Sequence, residues 1–234
     1  MRECLLCGQL FLPELNLAEL FVFKGKRKEN LCPHCWAKFE KLSATRCMVC
    51  SKNLSEAGIC QDCKIWQKQY DQQLLHHHSL YRYNQEFHDL MVQYKRYGDY
   101  MLYGVLRELC SKQLMKMDYD FYIPIPSSPE HLKKRGFDTI TAIYQELVPL
   151  TPLLKKLSGS SAQGEKNKAE RLNTPQMFYV DTTYRNQHHI EIHKNNKILL
   201  LDDIYTTGRT LYHARDSLLL ENPNVTIESF SICR

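Results

Sequence analysis

Residues 197–210 read KILLLDDIYTTGRT, and this segment decides the fold class. The unbroken apolar run at its start is typical of a strand buried on both faces, as a parallel sheet requires. A turn rich in threonine and glycine then leads into a helix predicted over 207–220. Further strands are predicted at 77–83, 120–126 and 225–233, and further helices within 85–117 and 138–148. This alternation predicts an α/β domain with a mainly parallel sheet.

The turn after the buried strand has the chemistry of a phosphorylated-sugar site. Its backbone amides and the following helix N-terminus predict an anion hole, and Gly208 lets the backbone approach a phosphate closely. Asp202 and Asp203 offer carboxylates that suit ribose hydroxyls. Three further hydroxyl donors come from Thr206, Thr207 and Thr210. An alternative is that the acids only end the strand and cap the helix, which would explain one acid but not two acids and three threonines.

The cysteines predict metal sites at the N-terminus. Eight of the ten cysteines form four Cys-x-x-Cys pairs, which are Cys4/Cys7, Cys32/Cys35, Cys47/Cys50 and Cys60/Cys63. Each pair turns two sulfurs towards one ion, and two pairs complete a tetrahedron around Zn²⁺. Sequential pairing of the four gives two closed structural zinc sites. Interleaved pairing, first with third and second with fourth, stays open, as do unmetallated or redox cysteines. Cys110 and Cys233 lie in apolar stretches and are expected to be buried thiols.

The distribution of the cysteines predicts two domains. Residues 1–68 hold all four pairs, contain few core residues and are expected to depend on metal for folding. Residues 69–234 carry the strand–helix alternation. We therefore expect a double zinc ribbon over 1–68 followed by an α/β domain over 69–234.

Composition bounds the class of protein. No apolar run is long enough to cross a membrane, and the first residues, MRECLLCGQLF, do not resemble a signal peptide. A cytoplasmic location is expected. The formal net charge is +5, but two closed zinc–thiolate sites would leave about +1. Net charge therefore does not predict nucleic-acid binding, which would have to come from local basic patches.

Three such patches are candidates for single-stranded nucleic acid, because cations follow phosphates and rings stack on bases. The first is the densest and comprises Lys24, Lys26, Arg27 and Lys28. The second comprises Lys95, Arg96 and Tyr97, within a tyrosine-rich stretch. The third comprises Lys133, Lys134 and Arg135. Solvated lysines and tyrosines at the edge of the core are the alternative for all three.

The segment LLLDDIYTTGRT at 199–210 resembles the signature loop of type I phosphoribosyltransferases. The resemblance implies that Asp202 and Asp203 hold the ribose hydroxyls of phosphoribosyl diphosphate as catalytic residues. It implies that residues 206–210, including Arg209, hold the 5′-phosphate. A second loop in that family holds the diphosphate with Mg²⁺. Here Ile125–Ser128 occupies the corresponding place, and Ser127 and Ser128 are its candidate ligand residues.

A narrower resemblance, over essentially the whole chain, is to the ComF family. It is carried by the cysteine-rich head, QYKRYGD at 93–99, KKRGFD at 133–138 and the terminal SICR at 231–234. Two features depart from the family. Asp138 stands where the family usually has Asn, and the segment 163–171 holds fewer arginines. The resemblance implies a role in natural competence, the uptake of single-stranded DNA, together with an ATP-driven DNA translocase of the ComFA kind.

Three functions are therefore considered. The first is a DNA-handling protein that binds single strands and a phosphoribosyl-diphosphate-like ligand. The second is a metabolic phosphoribosyltransferase that joins a base or amine to the sugar. The third is an adaptor whose zinc head docks a partner. The sequence has no obvious hood for recognising a base, which favours the first and third.

Overall fold

A computed structural model describes residues 1–13, 29–71, 73–157 and 176–234. The basic cluster predicted at 24–28 and the segment around 163–171 lie outside these ranges. The strands are β1 Arg2–Glu3, β2 Leu10–Phe11, β3 His77–Tyr81, β4 Phe121–Pro124, β5 Leu154–Lys156, β6 Phe178–Val180, β7 Lys197–Leu201 and β8 Thr226–Cys233. The α-helices are α1 Pro33–Ala37, α2 Gln61–Tyr70, α3 Gln85–Val92, α4 Tyr103–Leu114, α5 Pro129–Arg135, α6 Thr139–Tyr144, α7 Thr182–Gln187 and α8 Arg209–Glu221.

The centre of the fold is a parallel sheet of four strands in the order β3-β8-β7-β4. β7 is the predicted KILLL strand, and its last four residues are fully buried. β8, the last strand of the chain, lies between β3 and β7 and pairs in parallel with both. The predicted α/β class with a parallel sheet is therefore confirmed. Because all four strands run the same way, the loops that follow them meet at one edge of the sheet.

Some local features go beyond what the sequence predicted. β5 and β6 form an antiparallel pair outside the central sheet. The predicted helical region 85–117 is broken after α3 by a π-helical turn, Gln93–Tyr97, and a short 3₁₀ turn, Tyr100–Leu102. The break falls at Gly98, which adopts a left-handed backbone with φ +73° and ends the π-helical turn.

The cysteine-rich head contains two helices, α1 and α2, that were not predicted from the sequence. α2 continues two residues beyond the predicted domain boundary at 68. The two hydrophobic clusters formed by the described residues both combine side chains from the head and from the α/β part. One cluster joins Leu31 and Phe39 to the inner faces of α3 and α4. The other joins Val49 and Trp66 to β7 and α8. Within the described ranges, every helix is too short or too polar to span a bilayer.

We expect that Phe39→Ala lowers the free energy of unfolding of the whole chain by about 3–5 kcal/mol. Phe39 lies between the two groups of zinc-site cysteines and is buried, and its ring centroid lies 4.8 Å from that of Phe87 in α3. The variant removes a ring that joins the head to the α/β part, so both parts should lose stability together. Urea denaturation followed by circular dichroism measures the change.

Met48→Ala is the matched control, because Met48 lies in the head with 69% of its surface exposed and should change stability by about 0.5 kcal/mol or less. A Phe39→Ala protein in which the head melts early while the α/β part keeps its parent stability would contradict the shared core.

Candidate ligand site and metal centres

Two groups of four cysteines bring their sulfurs together. Cys4, Cys7, Cys32 and Cys35 form one group, and Cys47, Cys50, Cys60 and Cys63 form the other. Within each group all four sulfurs lie within 4.8 Å of one another. The Cys7–Cys32 and Cys50–Cys60 sulfur distances are 3.8 and 3.4 Å. Tetrahedral Zn–S bonds place sulfurs about 3.8 Å apart, so both groups fit structural zinc. The sequential pairing is the one that the structure forms, and the interleaved alternative is not.

The local backbone of each group is built for thiolate ligands. Cys32 and Cys60 are the N-caps of α1 and α2, and their sulfurs accept hydrogen bonds from the N–H groups of Cys35 and Cys63. Helix N-termini and such N–H donors favour a thiolate over a thiol. The residues after Cys7 and Cys50 take left-handed backbones, with φ +70° at Gly8 and +60° at Ser51. The glycine after Cys7 therefore has the conformational role that zinc knuckles require.

Asp202 and Asp203 stand where β7 ends, and Lys95 reaches them from the π-helical turn. Asp203 is buried, and its Oδ2 lies 2.6 Å from Lys95 Nζ. Asp202 is half-buried, and its Oδ1 accepts the N–H of Asp203 at 2.9 Å. The hydroxyl of Tyr144 donates to the Asp202 carbonyl at 2.8 Å. Two carboxylates and one ammonium group thus meet at the carboxyl edge of the sheet.

The two acids differ in their electrostatics because Asp203 has the direct cationic partner. Burial, and then the charge of Asp203, raise the pKa of the Asp202 carboxyl to about 7, although Lys95 opposes the shift. For Lys95, burial alone would lower the pKa, but the charges of Asp203 and Asp202 outweigh it and raise the pKa of the ammonium group. Asp202 is therefore a carboxyl poised to gain a cationic or hydroxyl partner.

The turn after the acids presents unpaired amides. Within the described part of the chain, no protein acceptor pairs with the N–H groups of Thr206, Thr207 or Gly208. Thr206 is exposed, whereas Thr207 and Gly208 are buried. The hydroxyl of Thr207 accepts the N–H of Arg209 at 3.4 Å. These amides precede α8, a helix of 13 residues, whose N-terminus adds a favourable field for an anion.

Gly208 is required at this turn for two reasons. Its φ of +84° lies in the left-handed region, which side chains other than glycine rarely adopt. A Cβ built at Gly208 would also fall 2.3 Å from the hydroxyl oxygen of Tyr205. Tyr205 is itself buried against the ring of His77, with 4.2 Å between ring centroids. The ring of Tyr205 therefore forms a floor beneath the turn.

The loop after β4 holds the two predicted serines at the same edge of the sheet. Ser128 is buried, and its hydroxyl caps α5 by accepting the N–H of His131 at 3.3 Å. The N–H of Ser127 donates to Asp138 Oδ2 at 3.2 Å, and the other oxygen of Asp138 caps α6. Asp138, which stands where the ComF family usually has Asn, thus fastens this loop to α6.

The residues predicted for nucleic acid fall into two environments. Arg96, Tyr97, Lys133 and Lys134 are exposed, and Tyr97 exposes 80% of its surface. Lys95 instead faces the acid pair. Arg135 is half-buried, and its Nε donates to the carbonyl of Lys95 at 3.1 Å. Lys24, Lys26, Arg27 and Lys28 lie outside the described residues.

Sequence reasoning assigned Lys95 to a basic surface and missed its place beside Asp203. The available signal was topological. Lys95 follows the first strand of a parallel sheet, so its segment reaches the edge at which β7 ends in Asp202 and Asp203. Tyr205 was also missed, because its role depends on the conformation of Gly208.

The fold and the site together define an α/β protein with an N-terminal double zinc ribbon and an acidic, amide-rich loop at the carboxyl edge of its sheet. A family model for the double zinc ribbon domain matches residues 2–64. Competence protein ComFC of Streptococcus pneumoniae (strain ATCC BAA-255 / R6) is 32% identical over 233 residues, covering 99% of this chain and 100% of the relative. Competence protein ComFC of Bacillus subtilis (strain 168) is 29% identical over 243 residues, covering 99% of this chain and 94% of the relative. The chain belongs to the ComFC family, which confirms the resemblance found in its motifs.

We expect Asp202→Asn to stabilise the protein at pH 8 by on the order of 1 kcal/mol. The folded-state pKa of Asp202, about 7, lies above the ordinary value of about 3.9. The folded state therefore holds this proton more tightly, and its contribution to stability is lost as the pH rises from about 4 through 7. The amide of Asn removes that loss. Urea denaturation at pH 5 and pH 8 measures it.

Asp203→Asn provides the opposite case, because it leaves Lys95 without its charged partner and should cost about 3 kcal/mol. Asp118→Asn is a neutral control, since Asp118 is exposed before β4 at the other end of the sheet. If Asp202→Asn and Asp203→Asn change the free energy of unfolding equally, Asp203 is not the main partner of Lys95.

Proposed function

We propose that this protein acts in competence, in the uptake of DNA, and that it binds both single-stranded DNA and a phosphoribosyl-diphosphate-like ligand. The observation that carries the ligand assignment is the acid pair, followed two residues later by three backbone amides that have no acceptor among the described residues, at one edge of a parallel sheet. The competence role rests on membership of the ComFC family. An ATP-driven DNA translocase of the ComFA kind is the proposed protein partner.

The chemistry of the loop matches the two ends of a phosphorylated ribose. Asp202 would accept hydrogen bonds from the ribose hydroxyls. Asp203 would also accept such a hydrogen bond while it keeps its ion pair with Lys95. The N–H groups of Thr206, Thr207 and Gly208, with the threonine hydroxyls, would donate to the 5′-phosphate. Arg209 and Thr210, at the start of α8, complete this proposed set.

The diphosphate would lie towards the loop that follows β4, where Ser127 and Ser128 stand at the same edge. Mg²⁺, when bound with the ligand, would neutralise the diphosphate and be held by carboxylate oxygens of the acid pair. The ammonium group of Lys95 is a positive charge of the protein itself beside the acid pair, because its Nζ lies 2.6 Å from Asp203 Oδ2. We therefore propose Lys95 as a ligand-site residue instead of a DNA contact.

Single-stranded DNA would follow the outer rim of the same edge. The exposed Arg96 and Tyr97 of the π-helical turn lie on the element that α5 contacts, and α5 carries the exposed Lys133 and Lys134. Cations and an exposed ring are the combination that binds single strands without sequence preference. The cluster Lys24–Lys28 of the head remains a second proposed surface, and a head that binds no DNA would favour the adaptor role.

We expect Asp202→Asn to weaken binding of phosphoribosyl diphosphate with Mg²⁺ by about 10- to 100-fold, since a hydrogen bond to a charged group is lost. Calorimetry measures the affinity. Because this variant is expected to be more stable than the parent at pH 8, weaker binding could not be attributed to unfolding. Asp118→Asn should bind as the parent does.

Unchanged affinity in Asp202→Asn would remove this acid from the ligand site. An assay for diphosphate release, with bases and amines as acceptors, separates the two functions that share the site. Release that depends on an acceptor would favour the metabolic phosphoribosyltransferase, in which the acid pair stabilises an oxocarbenium-like state. Binding without release favours a ligand-binding role in DNA handling.

For DNA, we expect Tyr97→Ala to weaken binding of an unstructured single strand by about 1–3 kcal/mol with little change in salt dependence. Replacing Arg96, Lys133 and Lys134 together by Gln should instead reduce the slope of log K against log salt by about 2, at roughly 0.7 per phosphate contact. Fluorescence anisotropy over a salt series measures both.

The control for the ring is Tyr179→Ala, an exposed tyrosine on β6, and the control for charge is Lys112→Gln with Lys116→Gln on and after α4. If the test variants behave like their controls at every salt concentration, the rim does not bind DNA. The cluster Lys24–Lys28 would then be the surface to test.

A further inference from the structure

Helix α2 connects the second zinc site, formed by Cys47, Cys50, Cys60 and Cys63, directly to the proposed ligand loop at residues 202–210. Its N-cap is Cys60 and its first turn contains Cys63, so two of the four ligands of that site begin the helix. Trp66 follows Cys63 by three residues and therefore lies on the same face of the helix. Trp66 is almost completely buried, with 1% of its surface exposed. The indole ring is thus carried by the same helix turn that supplies two cysteines of the second site.

The indole of Trp66 makes a hydrogen bond to the ligand loop itself. Its Nε1–H donates to the backbone carbonyl of Thr207 at 2.8 Å. The ring also stacks on Tyr212 of α8, with 4.3 Å between centroids and 21° between planes. The head therefore contacts both the loop and the helix that follows it.

This hydrogen bond sets the direction of the amide that faces a ligand. In a trans peptide the C=O and the N–H of the same unit point in opposite directions, and the described residues contain no cis peptide bond. Because the carbonyl of Thr207 points towards Trp66, the N–H of Gly208 points away from the head. That N–H is one of the three amides without a protein acceptor in the described ranges.

A second connection runs through the last residue. The guanidinium of Arg234 is buried, with 6% of the side chain exposed, and its Nη2 lies 3.8 Å from Asp62 Oδ2 in the first turn of α2. Its Cζ also lies 4.4 Å from the ring centroid of Tyr205, the residue beneath Gly208. Arg234 therefore links α2 to the floor of the loop.

The first zinc site is placed differently. Leu5 and Asn30 lie close to its cysteines in the sequence. The N–H of Leu5 donates to the carbonyl of Asn30, and the side chain of Asn30 donates to the carbonyl of Gly104 in α4 at 3.0 Å. Its side chains pack with α3 and α4 instead of with α8. The two zinc sites thus offer a natural comparison.

We propose that Trp66 is a positioning residue of the ligand loop, and that zinc in the second site, through α2, sets the affinity of this loop for a phosphate group. This inference deepens the proposed function and rests on it for the identity of the ligand. Zinc would be held by Cys47, Cys50, Cys60 and Cys63, whose sulfurs fit it. The head would then support the ligand site through α2 and Trp66.

The test uses Trp66→Phe, which keeps an aromatic ring on Tyr212 and removes the N–H donor. Tyr70→Phe is the matched control, because it removes the hydrogen bond of Tyr70 to Asp216 at 2.6 Å, made by the same helix to the other half of α8. We expect Trp66→Phe to bind phosphoribosyl diphosphate with Mg²⁺ about 5- to 10-fold more weakly, with two zinc ions retained. Tyr70→Phe should bind as the parent does.

Amide hydrogen exchange over residues 202–212 gives a readout that does not need the ligand. Faster exchange in Trp66→Phe than in the parent, without a change in Tyr70→Phe, supports the positioning role of Trp66. If the parent protein binds no phosphoribosyl diphosphate, the proposed ligand is refuted, but the exchange result still tests the positioning role. Exchange equal to the parent, or equal loss of affinity in both variants, would overturn the inference.

Two variants compare the zinc sites with each other. Cys60→Ser alters the N-cap cysteine of α2 in the second site, and Cys32→Ser alters the N-cap cysteine of α1 in the first site. We expect Cys60→Ser to speed exchange in residues 202–212 more than Cys32→Ser does, with metal analysis confirming which site has lost zinc. The same or a greater effect from Cys32→Ser would show that support of the loop is not specific to the second site. Failure of both variants to fold would leave Trp66→Phe against Tyr70→Phe as the deciding pair.

Discussion

The parallel pairing of β7 with β4 and β8 is the constraint on which the rest of the molecule depends. The ladders continue past the strand ends, because the N–H of Ile125 donates to Leu201 and the N–H of Asp202 donates to Phe230. These bonds hold the segments after β4, β7 and β8 at the same edge. The acid pair, the serine loop and the C-terminal residue meet there because parallel strands end together.

Burial at that edge determines how its charges behave. A buried carboxylate without a charged partner destabilises the folded state, and Lys95 offsets this for Asp203 by forming an ion pair with it. For Asp202, beside it, burial and then the charge of Asp203 raise the pKa to about 7, although Lys95 opposes the shift. The site therefore holds one compensated acid and one acid that gains from a ligand or a cation. The structure thus distinguishes the two aspartates, which look equivalent in the sequence.

The zinc ribbons are integrated into the α/β part of the molecule. Cysteine sites hold α1 and α2 in place, and these helices contribute Trp66 and neighbouring apolar residues to clusters that also contain β7, α3 and α8. A short segment with few apolar residues folds when metal fixes its turns. Here the fixed turns also present large side chains to the sheet and to α8. The head and the loop proposed to bind the ligand are consequently neighbours in one packed structure.

The sequence by itself determined the class of the fold, the cysteines that form the two candidate zinc sites, and the position of the acidic loop after a buried strand. These follow from local patterns: KILLL is long and apolar enough to predict a buried strand, Cys-x-x-Cys has the spacing of a zinc knuckle, and the glycine after the threonines marks a left-handed turn. The tertiary structure alone decided which cysteine pairs share a site, that Lys95 neutralises Asp203, and that Trp66 bonds to Thr207. Trp66 and Thr207 are 141 residues apart in the chain, and Lys95 is similarly remote from Asp203. Contacts of this kind depend on how the elements pack, and no periodicity or spacing within a short segment encodes them.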